Sequence, residues 1–394
     1  MSRTSIKSFK LLLKVSAGFG LFCAMPTSLW AADATGYHKS TNNQCAVYNA
    51  ELKTDQSVVW QGQCRDGYAT GKGVAQWYDK DGNAYNHYQG TFEKGKIVGK
   101  GIIEWDAQVP NETKRYEGEF ADGVILGKGV IEFTDGNRFE GDFVPCGERY
   151  RGKFTWGKDN EYYTDTYVGE YVAGKRSGYG VYTWGEQSPW YGDKYEGQWV
   201  DDQKEGKGKY TSKRTDFVYD GEWKDNKKHG YGVGEWSNGI RYEGYWANDN
   251  PSGKGKQIVP NKYVYTGDFD DGVINGKGKM VFPDGGWYEG DFANNEQTGI
   301  AKAQRANGIV YEGHVIRGKA WGFGQLTVPK AAFASDKRSK LGTWINDNTF
   351  FEQGWYVDNK LAFSCPSEQA CRAQAATDPV KKAAITQTEN HLAD

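Results

Sequence analysis

Tyr167-Val168-Gly169-Glu170-Tyr171, followed by Gly178-Tyr179-Gly180, is one copy of a phrase that decides the fold of this chain. The phrase is Tyr-x-Gly-x-aromatic and then Gly-x-Gly, and it recurs eleven times, mostly at intervals of 23 or 28 residues. Self-similarity at a short fixed period indicates a repeat array, in which each unit buries its face only against its neighbours. The copies begin at an aromatic residue, called position zero below: Trp60, Tyr88, Tyr116, Phe139, Tyr167, Tyr195, Tyr219, Tyr242, Tyr265, Tyr288 and Tyr311.

Glycine and aromatic residues hold fixed positions inside each copy. Position two is glycine in all eleven copies, and glycine returns at positions eleven and thirteen in most of them. Alternate residues of a strand share one face, so positions zero, two and four lie together. A chain reversal near positions seven and eight would place position two opposite thirteen, and four opposite eleven. Position four is aromatic in nine copies: Phe92, Phe120, Phe143, Tyr171, Trp199, Trp223, Trp246, Phe269 and Phe292.

The pattern therefore predicts one short antiparallel hairpin per repeat, with rings and glycines on one face. Glycine in a strand interior often marks a close approach of another group, which gives the aromatic rings space to lie. The connections between repeats carry Asp-Gly or Asn-Gly, the strongest short hairpin signal, so every link is a tight turn. We expect an all-β fold: an elongated single-layer antiparallel sheet of about eleven stacked hairpins with capped ends. The connecting turns are Asp135-Gly136, Asn238-Gly239, Asp284-Gly285 and Asn307-Gly308.

The opposite face of the hairpins is polar. Position three is acidic in six copies, for example Asp268 and Asp291, and position twelve is lysine in six copies. In the register above, three lies across from twelve, so we expect opposite charges to pair over each hairpin. Exposed pairs contribute about 0–1 kcal/mol each, and serve solubility and register more than stability. The lysines are Lys72, Lys100, Lys128, Lys207, Lys254 and Lys277.

The repeat resembles the MORN (membrane occupation and recognition nexus) repeat, as in the stretch from Tyr116 to Gly129. The resemblance covers roughly residues 58–328, with the array assigned to 60–328, and it weakens where Tyr150, Ala301 and Val315 replace the usual residues. It implies an interaction scaffold whose aromatic groove holds a helix or an extended segment, and it leaves a homodimer open. The groove would be lined by Tyr167, Tyr195, Tyr219, Tyr242, Tyr265, Tyr288, Trp199, Trp223 and Trp246.

The segments around the array indicate export and capping. Residues 1–31 have the charged start and apolar core of a signal peptide, with cleavage after Ala31 or Ala34. We expect the mature protein to be periplasmic or secreted. Residues 37–59 are expected to cap the first repeat, because a bare edge strand pairs with other chains. Residues 329–364 are a C-terminal cap or degenerate repeat, with Gly342-Thr343-Trp344 as a closing half-unit, and 365–394 are a short helix or a disordered tail.

Export changes the interpretation of the cysteines, because an oxidising compartment favours disulfides over free thiols. We expect Cys45 to pair with Cys64, which stands where other repeats have an aromatic residue. Cys365 and Cys371 would close a small loop at the other end. Cys146 is left as a buried thiol or an intermolecular link.

The sequence offers little for catalysis. The five histidines are not spaced as metal pairs, and no segment has the pattern of a phosphate-binding loop. We expect no enzyme activity, no metal and no cofactor. The net charge is −2 and becomes more negative once the signal is removed, so nucleic acid is an unfavourable partner.

Three functions fit an exported array of this kind. The first is a non-enzymatic scaffold that binds an unidentified protein, in the cell envelope or outside the cell, through the aromatic groove or one edge of the sheet. The second is binding of envelope glycan, with rings stacking on sugars. The third is binding of acidic phospholipid headgroups through the six position-twelve lysines.

Overall fold

The structure is a computed structural model and describes residues 36–49, 56–106, 112–144, 149–158, 160–333 and 342–393. The signal peptide and Cys146 lie outside these described residues. The chain divides into two compact units, described separately below. Unit 1 comprises Met1–Asp216 with Trp223–Asn226, and unit 2 comprises Phe217–Glu222 with Lys227–Asp394.

Over the residues that the structure describes, both units consist mostly of strands. Unit 1 contains β1 Tyr37–Lys39, β2 Ala46–Tyr48, β3 Ser57–Arg65, β4 Tyr68–Tyr78, β5 Ala84–Glu93, β6 Lys96–Trp105, β7 Thr113–Ala121, β8 Val124–Phe133, β9 Arg138–Phe143, β10 Arg149–Thr155, β11 Thr166–Val172, β12 Lys175–Thr183, β13 Lys194–Val200 and β14 Gln203–Ser212. The division between the units falls within β15, Phe217–Lys224.

Unit 2 continues with strands and ends with helices. Its elements are β16 Lys227–Glu235, β17 Arg241–Ala247, β18 Asn250–Val259, β19 Tyr263–Asp270, β20 Val273–Val281, β21 Trp287–Ala293, β22 Glu296–Gln304, β23 Val310–Ile316, β24 Lys319–Pro329, α1 Lys330–Phe333, β25 Thr343–Asn346, β26 Thr349–Val357, β27 Lys360–Ser364, α2 Glu368–Thr377 and α3 Pro379–Ala393.

The array strands within each unit pair antiparallel with their neighbours in the chain. Strand β12, for example, pairs with β11 within its own repeat and with β13 of the next repeat. Strand β20 pairs in the same way with β19 and β21. The predicted fold class, an antiparallel sheet of stacked hairpin repeats, is therefore confirmed.

The predicted register within a hairpin is correct at its centre and wrong near its turn. Position two faces position thirteen, as in Gly169 with Gly180 and Gly267 with Gly278. The turn occupies positions six and seven, one residue earlier than predicted, so position four faces nine instead of eleven. Phe269, for instance, faces Ile274.

A bulge at positions eleven and twelve absorbs the difference between the two registers. Glycine at position eleven has a positive φ, +77° at Gly253 and +106° at Gly276, and residues with a Cβ rarely adopt this conformation. The bulge moves position eleven to the next repeat, where Gly253 faces Phe269 and Gly276 faces Phe292. The predicted pairing of four with eleven thus exists, but between neighbouring repeats.

The turns are also joined to the preceding repeat by their position-seven residue. Asn295 accepts a hydrogen bond at Oδ1 from the Ile274 N–H (2.9 Å) and donates its own N–H to the Ile274 carbonyl (2.9 Å). Asn359 and Ala320 form the same reciprocal pair at 2.8 and 3.0 Å. A turn with asparagine at position seven is therefore fixed to its neighbour by two bonds, whereas a turn with glycine there, such as Gly272 or Gly318, keeps only the backbone bond.

The N-terminal end is capped by the predicted segment. Strands β1 and β2 pair with each other, and the β2 backbone binds the turns of the first two repeats. Ala46 N donates to Gly67 O at 2.8 Å, and Tyr48 N donates to Gly95 O at 2.9 Å. The predicted disulfide joins Cys45 to Cys64, with an S–S distance of 2.05 Å.

A twelfth hairpin, formed by β26 and β27, closes the C-terminal end. Gly354 faces Gly324 and Tyr356 faces Gly322, as positions two and four face thirteen and eleven in the array. The predicted closing half-unit at 342–344 is wrong: β25 only extends the far edge of β26. The repeat pattern did not predict the β26–β27 hairpin, because Glu352 stands at its position zero instead of an aromatic residue.

The tail beyond this hairpin is helical. The second predicted disulfide joins Cys365, just after β27, to Cys371 in α2. Helix α2 begins after Ser367, whose side chain accepts a hydrogen bond from Ala370 N. Of the two alternatives for the tail, the structure has a helix, followed by a second one.

On the inner face, defined by positions zero, two and four, the tyrosine ring of most repeats covers the glycine pair of its own repeat; at Gly90 and Gly101 the Ile97 side chain takes this place. A Cβ added at Gly118 would lie 2.6 Å from Tyr116 Cζ and 2.6 Å from the Cα of Gly129. Glycine is required there because two backbones and a ring meet without room for a methyl group.

We expect Gly118→Ala to lower the free energy of unfolding by about 3 kcal/mol, because the added methyl group must displace a ring or a strand. Gly99→Ala is the matched control: nothing lies within 4 Å of its added Cβ, and only its φ of +66° opposes the change. The control substitution should lower the free energy of unfolding by about 1 kcal/mol. Denaturant unfolding of both variants measures the difference, and equal losses would contradict this role of the glycine pair.

Candidate functional site

The nine aromatic residues predicted to line a groove are buried. The most exposed of them, Trp223, retains 5% of its surface, and Tyr167, Tyr195, Tyr219, Tyr242 and Tyr265 retain none. Tyr288, Trp199 and Trp246 are also buried. Whether any of these rings contacts a partner stays a prediction, but in this structure their faces are occupied by the chain itself.

The polar atoms of these rings form hydrogen bonds within the array. Tyrosine at position zero donates its hydroxyl to the carbonyl of position three, as in Tyr242 to Tyr245 at 2.8 Å and Tyr288 to Asp291 at 2.8 Å. Tryptophan at position four donates Nε1 to the position-thirteen carbonyl of the preceding repeat, as in Trp246 to Gly232 at 3.1 Å. These bonds satisfy buried donors that would otherwise be costly.

The rings also pack on one another edge to face within repeats and between neighbouring repeats, without interruption from Tyr242 to Phe292. Tyr242 contacts Trp246 in its own repeat (5.2 Å between ring centroids) and Phe269 in the next (4.9 Å). Edge-to-face pairs contribute about 0.5–1.5 kcal/mol each beyond the area they bury. The inner face is therefore the core of each unit.

Cations complete this core at position nine. The Arg176 guanidinium lies 4.3 Å from the Trp199 ring centroid and forms a buried ion pair with Asp202 at 3.0 Å. In unit 2, Lys228 Nζ lies 5.4 Å from the Trp246 ring, and burial lowers the pKa of this lysine. These contacts fill the space above the rings that a ligand would need.

The outward face, defined by positions one, three, twelve and fourteen, carries the charged residues. The predicted pairing of lysine twelve with acid three within one hairpin is wrong, because the bulge separates them. The lysine pairs instead with the acid of the next repeat: Lys254 with Asp268 at 2.6 Å and Lys277 with Asp291 at 2.7 Å. These bonds lower the pKa values of both carboxyl groups.

The acid at position three has a second role inside its own hairpin. Asp268 Oδ2 accepts a hydrogen bond from Lys277 N at 3.0 Å, and Asp291 Oδ2 accepts one from Ile300 N at 3.2 Å. The acid thus satisfies the N–H that follows the bulge glycine. This explains the recurrence of the acid better than charge pairing alone.

All six predicted lysines are exposed, but most stand beside acids. Lys100 faces Glu119 and Lys128 faces Asp142 across neighbouring strands, while Lys72 faces Thr91. An alternation of this kind gives little of the unbalanced positive surface that anionic headgroups attract.

Four outward position-twelve residues break the ionic pattern. Tyr179 faces Gln198, Tyr231 faces Tyr245, Ile300 faces His314, and Phe323 faces Trp355. The sequence contained the signal, an aromatic or aliphatic residue where other repeats have lysine. Sequence reasoning missed these positions because it placed all important rings on the inner face.

The Tyr231–Tyr245 pair is the most exposed aromatic pair among these. The two rings retain 46% and 53% of their surface and meet edge to face at 5.7 Å. Tyr231 donates its hydroxyl to Glu243 at 2.9 Å, which fixes the ring. The pair stands at one end of a shallow depression of about 790 Å³.

The floor of this depression is backbone. Glycines of three consecutive repeats, among them Gly244, Gly255 and Gly267, line it, and lysine and glutamate side chains form its sides. An added Cβ at these glycines would point to the inner rings, at Gly244 to within 2.7 Å of the Tyr242 hydroxyl, so on the outward face the depression exposes backbone between the charged side chains. The depression and its tyrosines lie entirely within unit 2.

Over the described ranges, no group of three or more histidine, cysteine or acidic side chains is arranged to hold a metal ion. Nor does any helix found there have the length and apolar character needed to cross a membrane.

Comparison with known proteins identifies the class. The family model described as "MORN repeat" matches nine segments between residues 88 and 329: 88–107, 116–138, 167–188, 195–214, 219–241, 242–261, 265–287, 288–310 and 311–329. The chain belongs to the MORN repeat family, whose all-β arrays are typically non-catalytic scaffolds for interaction with proteins or lipids. No curated protein matches the chain significantly.

We expect alkaline pH to destabilise the array. Burial raises the pKa of Tyr265 to about 12, against 10 in the unfolded chain, and it also raises the pKa values of Tyr242 and Tyr288. Protons bound preferentially by the folded state stabilise it, so this contribution is complete below pH 10 and is lost as the pH rises from 10 towards 12. The measurement is the denaturant concentration at the unfolding midpoint at pH 8, 10 and 11. This midpoint should decrease between pH 10 and pH 11.

The variant Tyr265→Phe tests the cause. The variant loses the hydrogen bond of the hydroxyl group, which should lower the free energy of unfolding by about 1 kcal/mol near neutral pH. Its unfolding midpoint should decrease less steeply above pH 10 than that of the wild type. An unfolding midpoint that is constant up to pH 12 in the wild type would contradict the expectation.

Proposed function

We propose that this chain is a non-enzymatic scaffold, exported to the cell envelope or beyond, that binds a partner protein through the outward face of unit 2. The observation that carries the proposal is the Tyr231–Tyr245 pair, exposed beside a glycine-floored depression. Aromatic residues are enriched at the centres of protein interfaces, because a rigid ring buries much area at little entropic cost.

The charges around the pair favour a protein over a polyanion. Lys254, Lys256, Lys277 and Lys279 alternate with Glu243 and Glu289 around the depression. Mixed signs close to an apolar centre match the polar rim that surrounds the buried part of a protein interface. An acidic lipid surface would be better served by lysines without acidic neighbours.

The proposal moves the binding site from the inner rings to the outward rings. The inner rings are buried, hydrogen-bonded and packed, so a partner would have to open the sheet to reach them. The outward tyrosines need no such change. Binding of envelope glycan or of acidic phospholipid headgroups remains the alternative function.

We expect the double variant Tyr231→Ala/Tyr245→Ala to remain folded and to lose its partner. Cross-strand ring pairs contribute only about 0.2–1 kcal/mol, so the unfolding midpoint should change little. The tagged mature protein would be used to capture its partner from its own cell envelope, followed by mass spectrometry. A protein recovered with the wild type should be absent with the double variant.

Tyr191→Ala is the matched control, since Tyr191 is exposed to 48% but lies in unit 1, in the connection between β12 and β13. It should retain the partner. Equal recovery with all three proteins would show that this face is not used. Recovery of glycan or lipid alone would replace the proposal with one of its alternatives.

A further inference from the structure

The chain itself shows what packs on an outward aromatic pair. At the last two hairpins, Phe323 and Trp355 occupy the same positions, twelve and three of the next repeat, as Tyr231 and Tyr245. There the outward face is covered by α2 and α3, and Trp355 retains only 2% of its surface. The two sites differ in whether a helix lies over the rings.

Small apolar residues of the helices make this contact. Cys371 and Ala375, one turn apart on α2, and Ile385 of α3 are buried with Trp355, and Phe323 packs against the same cluster. Trp355 also donates Nε1 to Thr388 Oγ1 of α3 at 3.1 Å. A helix with a narrow stripe of small side chains thus approaches the outward rings closely.

The outward residues of unit 2 differ according to what covers them. Where no helix lies above, at Lys254–Asp268 and Lys277–Asp291, the pair is ionic and stable in water. Where the helices lie above, the pair is aromatic. Tyr231 and Tyr245 are aromatic, like the pair that the helices cover, but their side chains are exposed. They therefore resemble a covered pair in residue type and differ from it in exposure.

We propose that the partner presents an α-helix to this face, with small residues at i and i+4 seated on Tyr231 and Tyr245, in the spacing of Cys371 and Ala375 on α2 and of Ala384 and Thr388 on α3. This inference rests on the proposed function and specifies the partner of the same surface. The helix lies across the strands, along the series of outward pairs that runs from Tyr231 towards α2.

The spacing of the outward pairs fixes the length of such a helix. Strands are about 4.8 Å apart, so successive repeats advance about 10 Å, close to two turns of helix. Three intervals separate the Tyr231–Tyr245 pair from Ile300, which is 63% exposed and faces His314. A helix of about 20 residues reaches from one to the other.

The order of outward pairs also fixes its pattern. A second apolar residue of the helix meets Ile300, and the residues between them carry charges of both signs to meet the Lys254–Asp268 and Lys277–Asp291 pairs. Beyond Ile300 the path ends, because Glu368 of α2 lies 3.9 Å from His314. The partner helix therefore stops where the chain's own helices begin.

The test uses a dye-labelled peptide with the sequence of residues 378–393, held helical by a side-chain cross-link on the face opposite Ala384 and Thr388. Its affinity for the full mature protein is measured by fluorescence anisotropy. We expect the double variant Tyr231→Ala/Tyr245→Ala to bind the peptide at least about tenfold more weakly, while the Tyr191→Ala control is unchanged. A peptide with Ala384→Pro, which cannot form the helix, should not bind.

Two results would overturn the inference. Equal binding of the helical and the proline-containing peptides would show that the face does not select a helix. Binding unaffected by the tyrosine substitutions would place the peptide elsewhere. Neither result touches the proposed function, which fails only if the envelope partner is captured equally by the wild type and the double variant.

Discussion

A tyrosine ring lying over a pair of facing glycines is the contact on which the rest of the structure depends. The glycines at positions two and thirteen let two strands and a ring meet without a methyl group between them, and the ring hydroxyl binds the carbonyl of position three. Repetition of this contact gives each unit a core although its sheet has a single layer. The buried area comes from rings that neighbouring hairpins share, and not from a second layer.

The bulge at positions eleven and twelve transmits this local contact to the next repeat. Because glycine eleven leaves the hairpin register, it faces position four of the following unit, and lysine twelve faces the following acid three. The same irregularity thus sets the inner ring series and the outward ion pairs. Reciprocal bonds between position nine and the next position seven, as at Ile274 and Asn295, hold the turn edge in step.

This arrangement gives the two faces of the sheet different roles. The nine predicted groove rings on the inner face are buried, whereas the side chains of the outward face do not pack in the ring core and can vary from repeat to repeat. Variation there places ion pairs at some repeats and apolar pairs at others. The Tyr231–Tyr245 pair and the helix-covered Phe323–Trp355 pair are two such variations, which is why function is sought among the exceptions to the repeat.

The sequence by itself determined the hairpin repeat, the face shared by rings and glycines and the tight turns. Each of these is a local consequence of period-two alternation or of glycine geometry. The two disulfides were expected from the position of each cysteine pair at an end of the array, and the structure has both. Only the tertiary structure decided which positions face each other beyond the central glycines, because a one-residue difference in the turn and a bulge change every pairing that follows. It also decided that the predicted groove rings are core, since burial depends on the neighbouring repeats and cations that cover a ring. The sequence indicated a cap or degenerate repeat at 329–364 and a helix or a tail at 365–394, but only contacts across the fold reveal the closing hairpin at Gly354 and the packing of the helices on Trp355, because these residues depart from the repeat.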